Sequence, residues 1–136
     1  FLNDRRIRVS KRNALNSCIF SIHNDITLNS NLNNKKEYEI IKDLVFQNSL
    51  VIREFGSSAL SFAWLASGKI DCFLSNNLNM NEVACGELLI KEAGGYISNL
   101  KSVSPNQVFG EALIAANPVI HREILKKYKL LNNKSK

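Results

Sequence analysis

The chain has 136 residues, 45% of them hydrophobic and 22% charged, enough for one domain with a real core and ordinary for a soluble globular protein. No apolar run approaches the ~20 residues that cross a bilayer, and no apolar stretch follows the basic first twelve residues, so neither a membrane span nor a signal peptide is expected. The formal charge of +6 is uneven: residues 1–12 carry +4, residues 126–136 carry +5, and the middle is −3. Basic ends around a mildly acidic body read as solvated ends, and nucleic acid is not an expected partner, because a binding stripe needs cations clustered on one face. Cys18, Cys72 and Cys85 are odd in number and lack close pairing, which suits reduced thiols in a cytoplasmic protein.

The chain opens on Phe1, which marks either processing or a piece of something longer. Arg6-Ile7-Arg8-Val9 alternates like an edge strand. Asn16 to Ile22 holds a strand, near 18–22, and Asn24 to Asn34 is a polar, Asn-rich loop. Tyr38, Ile41, Leu44 and Val45 recur at helical spacing, which predicts a helix over 37–47. Leu50-Val51-Ile52 starts a strand over 50–54. Gly56 breaks it, and Ser57 or Ser58 can cap a helix over 57–67, since a serine oxygen accepts a free N–H of the first turn. Ala59 to Ala66 is apolar nearly all round, which predicts a helix buried between layers.

Gly68 stops that helix, and Ile70 to Leu74 is the next strand. A helix over 82–93 shows Val83, Gly86, Ile90 and Ala93 along one face, and Gly94-Gly95 ends it by supplying positive φ. Strands follow near 95–98 and 112–116, separated by a loop from Lys101 to Gly110 that contains Pro105. Asn117-Pro118 starts a last helix over 118–128 with Val119, Ile120, Ile124 and Tyr128 as its apolar face, and the polar tail from Asn132 should fray. Alternating strands and helices predict an α/β layered domain with a mainly parallel sheet flanked by helices.

Five blocks carry a resemblance. Phe1-Leu2-Asn3-Asp4-Arg5-Arg6-Ile7-Arg8-Val9-Ser10 is similar to F-L-N-G-x-x-I-x-V-S. Arg53-Glu54-Phe55-Gly56-Ser57-Ser58-Ala59-Leu60 is similar to R-x-x-G-S-A-A-L. Ala66-Ser67-Gly68-Lys69-Ile70-Asp71, Asn81-Glu82-Val83-Ala84-Cys85-Gly86 and Glu92-Ala93-Gly94-Gly95 follow A-A-G-x-x-D, W-D-x-A-A-G and E-A-G-G. In this order and spacing they resemble the carboxyl-terminal half of the inositol monophosphatase family, especially its bacterial extragenic-suppressor branch.

The resemblance implies the second part of an α-β-α-β-α layered sugar-phosphatase fold, with residues 1–136 as one carboxyl-terminal domain. Residues 1–12 would then be an edge strand whose partners lie in the first half, and residues 132–136 a frayed tail. It implies a Mg²⁺-dependent phosphatase that releases inositol and phosphate from an inositol phosphate or a related sugar phosphate. Carboxylates hold Mg²⁺ at short distances in such a site, and the metal neutralises charge developing on phosphoryl oxygens.

Most of those ligands come from an upstream Glu and a D-P-x-D-G-T motif. Pro105 and Pro118 follow Ser104 and Asn117, so this chain has no D-P motif. Glu82 takes the place of the metal-binding Asp of W-D, with Asn81 in place of Trp. Arg53, Gly56, Ser57 and Ser58 match the sugar side of the pocket, and Ser75 aligns with a substrate-contacting Glu of many members. Helix-start N–H groups suit an anionic or hydroxyl-rich ligand at that turn. On residue chemistry alone, Glu82 also reads as an acid in a first helical turn, the Gly56 turn as a plain cap, and Asp71 as structural. His23 and His121 are isolated and lack metal-ligand spacing.

The chain alone is therefore expected to be inactive, completed by a first-half chain or else self-associating. The alternative is a non-catalytic or decayed relic that acts through protein contacts.

Overall fold

A computed structural model describes residues 1–24, 32–76, 78–101 and 111–134. The strands are β1 (Ile19–Asn24), β2 (Val51–Arg53), β3 (Cys72–Asn76), β4 (Tyr96–Asn99) and β5 (Leu113–Ala116). The helices are α1 (Leu32–Asn48), α2 (Ser58–Ala66), α3 (Met80–Glu92) and α4 (Pro118–Lys134). Most of the loop expected from Asn24 to Asn34, and most of that from Lys101 to Gly110, lie outside the described residues. Among the described residues no helix is long and apolar enough to cross a membrane.

The five strands form one sheet in the order β2-β1-β3-β5-β4. β1 runs parallel to both β2 and β3, as expected, whereas β5 runs antiparallel to both β3 and β4. The sheet is thus mixed. Alternation along the strands divides the core. Phe20, Ile22, Leu74 and Ile114 face α1 and α4, meeting Tyr38, Ile41, Ile120 and Ile124. Phe73, Leu113, Ala115 and Ile97 face α2 and α3, meeting Phe62, Leu65, Val83 and Ile90. Cys18 and Cys72 are buried, and burial pushes the Cys18 thiol up to about 11, so it stays protonated.

Asp71 ties the amino-terminal segment to this sheet. It is fully buried just before β3. It accepts hydrogen bonds from Ser10 Oγ, from Arg12 Nη1 at 2.9 Å, and from the Ile19 N–H at 2.7 Å. Its own N–H donates to the Ile19 carbonyl at 2.8 Å. Asn117 joins the same cluster: its Nδ2 donates to the Arg12 carbonyl at 2.8 Å, and its Oδ1 accepts from the N–H groups of Val119 and Ile120, capping α4. A buried carboxylate is stable only when donors replace its lost water, and here they come from the Ser10–Arg12 segment and the start of β1.

Several expectations gain detail or change. Arg6–Val9 pairs with no strand among the described residues of this half, where its partners were not expected. This segment crosses the end of α3, where the Val9 N–H donates to the Ala93 carbonyl at 3.1 Å and Arg8 Nη1 to the Glu92 carbonyl at 2.9 Å. It satisfies orphan carbonyls of a helix terminus. α4 continues past the expected residue 128 to Lys134, with neither Gly nor Pro after Pro118 to stop it. Val119 lies off the buried face of α4 and is exposed. Gly94 supplies the positive φ after α3, but Gly95 does not. Gly95 is required for close approach, since a Cβ there would sit 2.8 Å from Ile90 Cγ2.

Replacing Asp71 with Ala should cost at least about 2 kcal/mol of unfolding free energy, because hydrogen bonds to a charged acceptor are lost and a buried N–H is orphaned. Arg12→Ala should cost less, since its side chain is partly solvated. Urea denaturation of both variants measures the difference, and equal costs would contradict the account.

Candidate functional site

β1 and β2 are adjacent and parallel, yet the chain leaves them toward opposite faces of the sheet. β1 leads to α1 and β2 leads to α2, which lie on opposite sides. β3 leads to α3 on the same face as α2, so the topological switch lies between β1 and β3, and in open α/β sheets ligands bind in the crevice outside the carboxyl ends of such strands. Arg53 ends β2 there, and Ser75 lies near the end of β3 in register with His23 of β1.

The first helical turns of α2 and α3 meet beside this crevice. Ser57 caps α2, its Oγ accepting the Leu60 N–H at 3.2 Å. Ser58, in the first turn, donates from Oγ to Glu82 Oε1 at 2.6 Å. Glu82 also closes a reciprocal cap on α3: its Oε2 accepts the Asn79 N–H at 3.0 Å, and Asn79 Oδ1 accepts the Glu82 N–H at 3.0 Å. A negative charge is favoured at this helix end.

Gly86 sets the approach of the two helices. A Cβ built on it would lie 2.4 Å from the Phe62 ring, so only glycine lets α3 close onto α2. Between them runs a groove of ≈ 360 Å³ lined by Ser58, Ala59, Phe62, Glu82, Cys85 and Leu89 among others.

The structure brings Gly56, Ser57, Ser58 and Glu82 together as one turn-and-cap unit. Ser75 is close by in the sheet but buried, its Oγ donating to the Asn76 carbonyl at 3.3 Å. Arg53 is exposed, and its Nη1 donates to the Ile52 carbonyl at 3.2 Å. Asn79 was not among the candidates, although the spacing Asn79-x-x-Glu82 is a capping-box signature that could have marked it. Asp71 holds Ser10, Arg12 and the start of β1 together, which fits the structural reading of that residue.

Mg²⁺ needs near-octahedral oxygen donors at short range. Both Glu82 oxygens already accept hydrogen bonds, and among the described residues no group of three His, Cys, Asp or Glu gathers anywhere. The residues present do not by themselves fit a Mg²⁺ site.

A sequence model of the inositol monophosphatase family matches residues 1–132. The chain belongs to that family. It is 36% identical over 91 residues to the inositol-1-monophosphatase of Caulobacter vibrioides, covering 65% of this chain and 36% of that protein. It is 34% identical over 98 residues to the Nus factor SuhB of Pseudomonas aeruginosa, covering 72% of this chain and 36% of that protein. The crystal structure of the extragenic suppressor protein SuhB from Bartonella henselae superposes with a TM-score of 0.80 at 31% identity, covering 95% of this chain and 48% of that one. This chain spans half or less of each relative's length, and the layered α/β fold is theirs.

Gly86→Ala should overpack the α2–α3 contact and cost about 1–3 kcal/mol. Phe62→Leu combined with it should recover part of that loss. Thermal unfolding of the single and double variants reads the coupling, and strict additivity would contradict the proposed contact.

Proposed function

We propose that this chain forms the carboxyl-terminal half of a Mg²⁺-dependent phosphomonoesterase acting on an inositol phosphate or a related sugar phosphate, and that it is inactive alone. The observation carrying this reading is the joining of the Gly56–Ser58 turn to Glu82 beside the crevice at the strand ends. Free N–H groups of the turn and the Arg53 guanidinium would meet the substrate's hydroxyls and phosphate. Glu82 would contribute one carboxylate to a metal set supplied mostly by a first half. A cytoplasmic setting, which keeps all three cysteines as thiols, belongs to the same proposal.

The outer face of α2 and α3 supports the need for a covering half. α2 is apolar nearly all round, yet Ala59, Leu60 and Ala63 are exposed. On α3, Cys85 is exposed and Leu88 is 66% exposed. An apolar face of this kind marks an interaction surface, and a first-half chain or a second copy of this chain would cover it.

A second reading has its own support. Glu82 stands where the family has Asp, Asn81 where it has Trp, and Ser75 where many members have Glu, while both Glu82 oxygens are engaged in holding the helix starts. A relative named as a Nus factor fits a non-catalytic chain that works through protein contacts.

A phosphate-release assay on inositol monophosphate with Mg²⁺ separates the two. The chain alone should release no phosphate. Mixing it with a first half carrying D-P-x-D-G-T should restore weak activity, and Glu82→Asp should raise it. Activity of the chain alone would contradict the missing-ligand argument, and silence in every mixture would favour the non-catalytic reading.

A further inference from the structure

A second concave site lies on α4, away from the crevice, and shares no residue with it. It is a groove of ≈ 580 Å³ lined by Tyr96, His121, Arg122, Leu125, Lys126 and Lys129, with Pro118 at its end. Tyr96 begins β4, at the edge of the sheet, and pairs with Ala116, which in turn pairs with Cys72 at the start of β3. The groove therefore reaches the sheet edge at the opposite end from the carboxyl-terminal crevice.

Its lining is ordered by chemistry. At one end the Tyr96 ring, 58% exposed, lies 5.8 Å from the His121 ring, with the planes tilted by 52°. Ser98 Oγ lies 2.8 Å from His121 Nε2 and fixes that imidazole. Burial lowers His121 to about 4, so at neutral pH this end is a pair of uncharged rings. Along the groove run Arg122, Lys126 and Lys129, spaced i, i+4, i+7 on one face of α4, a span of about 10 Å. None of the three has an ion-pair partner among the described residues, and no carboxylate lines the groove.

We propose that this groove binds a nucleoside diphosphate, with the base on the Tyr96 ring and the phosphates on Arg122, Lys126 and Lys129. A flat π-face stacks on an exposed aromatic ring, and guanidinium and ammonium groups bind phosphate oxygens through charge-assisted hydrogen bonds. The volume lies in the range of small-molecule sites, about 300–1,000 Å³. The cations cover only two helical turns, which favours a mononucleotide over a longer nucleic-acid strand. This inference is independent of the phosphatase reading.

The test is isothermal titration of the full chain with ADP, pyrophosphate and adenosine in metal-free buffer. ADP should bind saturably with a Kd below about 1 mM, and more tightly than either fragment. Lys126→Glu with Lys129→Glu should weaken ADP and pyrophosphate by about tenfold or more while leaving adenosine unchanged. Tyr96→Ala should weaken ADP and leave pyrophosphate unchanged. All three side chains are exposed, so the variants should retain the circular dichroism spectrum of the parent chain. No saturable ADP binding, binding that survives the charge reversal, equal affinity for pyrophosphate, or stronger binding of a single-stranded oligonucleotide would each overturn the proposal.

Discussion

A single buried carboxylate holds the architecture in place. Asp71 draws donors from Ser10, Arg12 and the start of β1, and through Ser10 and Arg12 it reaches Asn117, which caps α4. Burying a charge is costly unless its lost hydration is replaced, so these groups are constrained to converge. Their convergence fixes the start of β1 against β3 and sets the register Phe20↔Cys72 through Asn24↔Asn76. The carboxyl ends of those strands then fall side by side, and the crevice follows from that register.

The second constraint is steric. α2 and α3 share a face of the sheet, and Gly86 lets α3 close onto the Phe62 ring. That approach brings Ser58 within hydrogen-bond distance of Glu82. The same hydrogen bond that joins the two helix starts occupies a carboxylate oxygen, and the Asn79 cap occupies the other. Each oxygen accepts one of these hydrogen bonds and keeps a second lone pair, so Glu82 falls short of a Mg²⁺ site because the cation needs several hard oxygen ligands and none gather beside it among the described residues.

Much of this was legible in the sequence. The periods of Tyr38, Ile41, Leu44 and Val45, and of Val83, Gly86, Ile90 and Ala93, name residues that are buried. A serine cap at Ser57 or Ser58, Asp71 as a structural residue and the family blocks were also readable, and the structure picks Ser57. Strand direction was not, because alternation gives a face and carries no sign for β5 running against β3. The strand pattern of Arg6–Val9 describes a segment with two alternating faces, and its hydrogen-bonding partner in this half is the end of α3. Composition made α2 apolar all round without saying that Ala59, Leu60 and Ala63 would be exposed in this chain. The pairing of Tyr96 with the cations of α4 joins residues far apart in sequence, so the basic tail looked like a solvated end until the fold placed Lys126 and Lys129 beside an aromatic ring.

The central proposal is that this chain would present half of a phosphatase site and that its one carboxylate there, Glu82, is too few ligands to hold Mg²⁺ by itself. Isothermal titration of Mg²⁺ into the chain, beside the Glu82→Gln variant, tests this directly. The account predicts no saturable heat up to about 10 mM in either protein, in keeping with a cation that needs several hard oxygen ligands. Saturable Mg²⁺ binding by the parent chain that disappears in Glu82→Gln would contradict it.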